Sequence, residues 1–190
     1  MRAGGRHSSF LTPHSSFNLG LTQMRLTILT TGGTIDKTYD EFQGNLRNEV
    51  TAIDVMLDSL RLPDLVIRHV EVMHKDSLEM TDEDRLMIAE AVRNAASTSD
   101  AVIILHGTDT LSETGELLAR ECRGLGIPVI LTGAMRPYEF RDTDALQNVT
   151  EALLAARLLE DGVHVAMHNR VLRFPGVVKD RQAGTFVRKS

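Results

Sequence analysis

The sequence predicts an α/β fold: a parallel sheet with helices on both faces, three layers in all. Two observations carry this. The segments Ala101–Leu105 (AVIIL) and Ile127–Thr132 (IPVILT) are apolar without alternation, as strands buried on both faces are. Apolar runs of strand length also alternate along the chain with helical stripes, the pattern of βαβ units.

Taken in order, Arg25–Thr31 (RLTILTT) reads as a buried first strand that stops at Gly32-Gly33. Asp36–Asn48 is polar and contains glycine, so it is expected as a long loop able to act as a lid. Glu49–Leu60 places Val50, Ile53, Met56, Leu57 and Leu60 on one helical stripe. Leu65–Met73 alternates as a second strand. Thr81 with Asp84 three residues on forms a capping-box signature, ahead of Leu86, Ile88, Ala89 and Val92. AVIIL follows, then a helix over Leu111–Arg123 that Gly124 or Gly126 can stop, then IPVILT. Asp144–Leu159 is an Ala/Leu-rich helix and Val163–Met167 a further strand. Val171–Val187 is expected as loop with short β pieces.

Composition narrows the function classes. At 42% hydrophobic residues the 190-residue chain can build a core, with aromatics at 4% and no Trp. The net charge is −5. From Met24 onward 19 basic residues face 26 acidic ones, which argues against a nucleic-acid partner. The single cysteine, Cys122, allows no internal disulfide and no cysteine metal cluster. No apolar run is long enough to span a bilayer. The seven histidines show no H-x-x-H or HExxH spacing, so no metal is expected. Residues 1–23 carry Arg2 and Arg6 but no acid. They are expected to be a disordered tail, or an upstream extension ahead of a true start at Met24. An organelle transit peptide is a weaker reading. Residues 24–190 are expected to form one domain.

In a parallel sheet, ligands bind beyond the carboxyl ends of the strands. Four such ends carry Thr31-Gly32-Gly33-Thr34, Lys75-Asp76-Ser77, His106-Gly107-Thr108-Asp109-Thr110 and Thr132-Gly133-Ala134-Met135-Arg136-Pro137. Each has a plain structural reading. The glycine pair makes a tight turn, Asp109 and Thr110 cap a helix, Ser77 sits in a turn, and Lys179 is solvated. Their gathering on one rim, hydroxyls beside a carboxylate and backbone-exposing glycines, favours a site. TGGT lacks the third glycine of a dinucleotide-binding G-x-G-x-x-G, and no P-loop lysine follows it.

TTGGTIDK and HGTDT resemble the two threonine signatures of the bacterial-type asparaginase/glutaminase family, and KDSLEM, TGAMRP and VVKD resemble three further family stretches. The resemblance covers about residues 24–187. It implies a flavodoxin/Rossmann-like domain of the family's N-terminal type and hydrolysis of L-asparagine to aspartate and ammonia, with no cofactor. The same resemblance implies that Thr34 is the nucleophile and that Tyr39 activates it. Thr108, Asp109 and Lys179 would form a second triad in which Lys179 activates the Thr108 hydroxyl and Asp109 orients Lys179. Gly33, Asp76, Ser77, Thr108 and Asp109 would contact the substrate, Ser77 at the α-carboxylate and Asp109 at the α-ammonium. His106 would only brace its turn.

Longer family members carry a second domain, whose acid in a partner subunit binds the ammonium. This sequence resembles the family's first domain alone, and Leu78 stands where many longer members have a polar residue. Weak substrate affinity is therefore expected. A cytoplasmic homo-oligomer, dimer or tetramer, is expected too, acting on a small molecule and not on membrane or nucleic acid. Glutamine or another amide as substrate, and a silent amino-acid-binding domain, are the alternatives.

Overall fold

The computed structural model describes residues 23–40, 45–48 and 52–189, with the backbone alone described at 36–40 and 45–48. The tail reading of residues 1–23 falls outside this range but for its last residue, as does the expected helix start at Glu49–Thr51. Among the described residues no helix is long and apolar enough to cross a membrane.

A six-stranded sheet is the centre of the fold. Its strands are β1 (Met24–Thr30), β4 (Leu65–Glu71), β5 (Ala101–Leu105), β6 (Pro128–Thr132), β7 (Gly162–Met167) and β8 (Arg170–Arg173), in the order β4-β1-β5-β6-β7-β8. The first five are parallel, and β8 returns antiparallel to β7. From β1 the chain first builds outward to β4, and from β5 onward it builds the other way. The order therefore reverses between β1 and β5, and the crevice at their carboxyl ends is where doubly wound sheets hold ligands.

The unbroken apolar strands are explained by the two covering layers. Val102 and Ile104 of β5 face the core made with α2 (Asp82–Ala96) and α3 (Leu111–Glu121). Ala101, Ile103 and Leu105 face the other core, made with α1 (Ile53–Ser59) and α4 (Ala145–Leu158). Each fully buried Ile or Leu in these layers contributes roughly 1.5–3 kcal/mol. The capping box forms as its spacing predicts. Thr81 Oγ1 accepts from the Asp84 amide at 3.3 Å, and Asp84 Oδ2 accepts from the Thr81 amide at 2.8 Å. Lys75 Nζ also donates to both oxygens of Asp84, at 2.8 and 2.7 Å, and ties the loop after β4 to the start of α2.

Two segments differ from expectation. Thr34–Asp36 is a 3-10 turn, and β2 (Lys37–Asp40) pairs antiparallel with β3 (Asn45–Asn48). Within the region expected as a loop, the described residues thus form an antiparallel strand pair. Its polar residues hide the alternation that would have announced it. The second is β8, a full member of the main sheet. A two-residue turn joins it to β7, with His168 at φ 54° and Asn169 at φ 58°. Both residues lie in the left-handed region, as a type I′ hairpin turn requires, yet neither is glycine. Helix α4 holds the turn with side chains one and two turns apart. Asn148 Oδ1 accepts from the His168 amide at 3.1 Å, Asp144 Oδ2 sits 2.8 Å from His168 Nε2, and Glu151 accepts from the Asn169 amide at 2.9 Å.

Candidate active site

The four predicted strand ends do meet on one rim, and they meet at distances only glycine permits. A Cβ on Gly33 would lie 2.5 Å from the Cα of Gly107, and one on Gly107 would lie 2.6 Å from Ser77 Oγ. One on Gly133 would lie 2.3 Å from the His106 carbonyl oxygen. Hydrogen bonds continue the sheet past its strands: Lys75 N donates to Thr31 O at 3.0 Å, and His106 N donates to Thr132 O at 2.9 Å. Thr110 Oγ1 donates to Ser77 O at 2.7 Å and locks the tip after β5 to the tip after β4.

Thr108, Asp109 and Lys179 come together, although Lys179 is about seventy residues distant in sequence. Lys179 Nζ lies 2.9 Å from Thr108 Oγ1 and 3.0 Å from Asp109 Oδ1. The Thr108 hydroxyl also faces Met135 Sδ at 3.5 Å. Neither Asp109 nor Thr110 caps α3 with its side chain. The carboxylate is engaged by Lys179 and the hydroxyl by Ser77, which removes the capping reading of this pair.

Lys179 owes its position to α3. It lies on β9 (Val177–Asp180), paired with β10 (Thr185–Arg188), where it stands opposite the buried Phe186. The amides of Gly176 and Val177, where β9 begins, both donate to Glu116 Oε1 of α3. Val177 is buried in the core on that side.

His106 is fully buried. Its Nδ1 lies 2.8 Å from the Gly107 carbonyl and its Nε2 lies 2.8 Å from Thr114 Oγ1. A carbonyl only accepts, so Nδ1 carries the proton and Thr114 donates to Nε2. This ring braces the turn, as expected. Burial pushes its pKa from 6.5 down to about 4, against the opposing pull of the Gly107 carbonyl. The unfolded chain therefore takes up this proton below 6.5, and the folded one only near 4. Stability is complete above the unfolded value and falls as the pH drops through that window, by on the order of 3 kcal/mol. Urea denaturation at pH 7 and at pH 4.5 measures the loss, and His106→Gln is expected to reduce it. His164, also lowered by burial, adds to the loss in both proteins, so the difference between them isolates His106.

The remaining predicted residues are placed as follows. Thr34 opens the 3-10 turn directly after Gly33; it is half-buried, and Ile35 beside it is buried. Ser77 is buried, while Asp76 caps a short 3-10 turn and accepts from the Leu78 amide at 3.1 Å. Leu78 is exposed. Tyr39 lies on β2 opposite Leu46, and its side chain is outside the described residues. Among the described residues no group of three His, Cys, Asp or Glu side chains could hold a metal ion.

Several residues at the rim had no forecast. Arg181 reaches Asp109 Oδ1 at 3.3 Å, so two cations share one carboxylate oxygen. Asp144 accepts from the amides of Met135 and Arg136 and from Asn148 Nδ2, which fixes the TGAMRP loop. Burial pushes its carboxyl up, but these bonds and the His168 ring outweigh it and hold the pKa below the usual range. The i, i+4, i+7 spacing of Asp144, Asn148 and Glu151 was the available signal.

The family described as "Asparaginase, N-terminal" matches residues 25–185. The chain belongs to the asparaginase N-terminal family. L-asparaginase of Thermococcus kodakarensis is 34% identical over 163 residues, which are 85% of this chain and 49% of that protein. Its solved structure superposes with a TM-score of 0.78 at 32% identity, covering 87% of this chain and 51% of the other. A structure titled as a probable cytoplasmic L-asparaginase from Campylobacter jejuni gives a TM-score of 0.68 at 29% identity, with the same coverage. A glutamyl-tRNA(Gln) amidotransferase component from Methanococcus vannielii is 30% identical over 148 residues, 77% of this chain and 34% of that protein. The chain thus spans about half the length of the asparaginases it matches. The mostly parallel central sheet with helices on both faces is that of an asparaginase N-terminal domain.

Proposed function

We propose that residues 24–190 act as one domain that hydrolyses the side-chain amide of L-asparagine through a threonine ester. The observation that carries this reading is the contact of Lys179 Nζ with both Thr108 Oγ1 and Asp109 Oδ1. A lysine, a hydroxyl and a carboxylate this close can relay a proton, which an unactivated hydroxyl needs before it can attack. Thr34 Oγ forms the new bond to the amide carbon, with Tyr39 activating it. Backbone N–H groups at the glycine-rich turn stabilise the oxyanion. The C–N bond then breaks, the nitrogen leaves as ammonia after taking a proton, and water opens the Thr34 ester to release aspartate. Ser77 holds the α-carboxylate and Asp109 the α-ammonium, with Gly33 and Asp76 as further substrate contacts. No cofactor takes part.

We place the protein in the cytoplasm as a homo-oligomer. Its one thiol, Cys122, is buried and free, and the similar Campylobacter jejuni protein is described as a probable cytoplasmic L-asparaginase. Sedimentation velocity measures the oligomeric state.

The likeness to the tRNA-dependent amidotransferase favours a second reading, in which the same steps feed ammonia to an acceptor. Ammonia release by the chain alone, measured with asparagine and with glutamine, separates the two. Asparagine turnover is expected to exceed glutamine turnover by about a hundredfold, because one extra methylene moves the amide away from Thr34 while the α-groups stay held. Equal rates would assign a glutaminase, and binding of asparagine without ammonia release would favour the amidotransferase reading.

A further inference from the structure

Opposite the Thr34 rim, where β7 begins at Gly162, the sheet edge carries a cleft of about 500 Å3. Arg123, Arg173 and Arg188 line it. Each guanidinium donates once to a backbone carbonyl: Arg123 to Ala119 at 3.2 Å, Arg173 to Asp161 at 3.2 Å and Arg188 to Pro175 at 3.3 Å. An arginine has five N–H donors, and all three side chains are exposed, so their other donors face solvent and are open to a ligand. Among the described residues none of the three forms an ion pair with a carboxylate. The acid on the wall, Asp161, instead accepts from the Gly126 amide at 3.1 Å. Three cations thus share one hollow, against their mutual repulsion, in a chain whose net charge is −5.

The hollow is shaped around them. A Cβ on Gly162 would lie 2.9 Å from Arg173 Nε, so the bare glycine lets that guanidinium rest against the backbone. Phe174 and Pro175 add an apolar wall. The volume lies within the range of small-molecule sites.

We propose that this cleft binds a small phosphorylated metabolite, with the phosphate on the three guanidiniums and the organic part against the exposed Pro175 ring. The planar fork of a guanidinium matches a phosphate by two parallel hydrogen bonds, and three forks can share its oxygens. Occupancy would also be felt at the candidate active site. The Phe174 ring fills the space over Gly115 of α3, where a Cβ would lie 2.2 Å from a ring carbon. Val177 and Lys179 follow on β9, which begins two residues after Pro175. A ligand that stiffens the Phe174–Pro175 turn therefore stiffens the strap that carries Lys179.

The test is calorimetric titration of the full chain with phenyl phosphate, inorganic phosphate, phenol and succinate. Phenyl phosphate is expected to bind more tightly than inorganic phosphate and to be displaced by it, with phenol silent and affinity falling as salt rises. The double substitution Arg173→Met, Arg188→Met is expected to weaken phenyl phosphate by roughly tenfold or more. Amide chemical-shift changes in the unmodified protein should centre on residues 123, 162, 174 and 188, a readout independent of how the variant folds. The proposal fails if neither phosphate compound binds at millimolar concentration, if succinate binds more tightly than either, or if the shifts centre elsewhere. These readouts do not involve amide hydrolysis, so they stand apart from the reading of the Thr34 site.

Discussion

Thr34→Ala is expected to leave a folded protein whose ammonia release from asparagine falls by roughly a thousandfold or more, the scale on which removal of a covalent nucleophile acts. The fold should survive because Thr34 is not part of what holds the rim together. The close contacts belong to Gly33 against Gly107 and to Gly107 against Ser77, and the anchor of the 3-10 turn is the buried Ile35. Removing one half-buried hydroxyl disturbs neither, so the melting temperature should change little. A burst of ammonia, or an ester trapped by acid quench, should be present in the unmodified protein and absent in the variant. Near-normal turnover in Thr34→Ala would move the nucleophile to Thr108, another hydroxyl on this rim. Thr108 is the one in contact with the lysine, so Thr108→Val is the companion measurement.

Lys179→Met is the second substitution expected to remove activity, again by roughly a thousandfold, because it takes away the proton acceptor of the relay. Methionine keeps the length and the apolar stem of lysine. β9 keeps its bonds to Glu116 and its pairing with β10. Nor does the change strand a charge, since Arg181 still lies 3.3 Å from Asp109 Oδ1. Turnover that survives the substitution would remove Lys179 from the chemistry and leave it a positioning role. Activity that falls with the melting temperature would mark a folding defect instead, and the two measurements together separate these outcomes.

The sequence made the interior of the sheet readable and the edges not. AVIIL and PVILT are apolar on both faces because helices cover both, so composition alone located β5 and β6. β8 was expected only as a short β piece, and its place in the main sheet was missed because its I′ turn is built from His168 and Asn169, where glycine is the usual signal. The left-handed backbone there is held by α4 through Asp144, Asn148 and Glu151, a tertiary arrangement that no local pattern reports. The β2–β3 strand pair was missed because Lys37–Asn48 carries polar residues on both faces. At the site, the tips after β1, β4, β5 and β6 were legible as strand ends rich in glycine and hydroxyls. Lys179 was not, since a lone lysine seventy residues from Asp109 has no periodicity to betray it; only the resemblance of VVKD pointed there. Arg181, two residues on and largely exposed, gave no signal at all.

Helix α3 turns out to be a shared chassis. Thr108 and Asp109 are fixed to its leading end, and Glu116 on its second turn clamps the strand on which Lys179 rides. Breathing of the sheet, or a small tilt of the helix, therefore carries these three side chains together and leaves their spacing nearly constant. The vulnerable joint is the clamp itself. Loosening it would detune a contact of 2.9 Å while Thr108, Asp109 and Lys179 were all still present, so under the proposed mechanism a change at Glu116, more than a turn away, lowers turnover without altering any of the three.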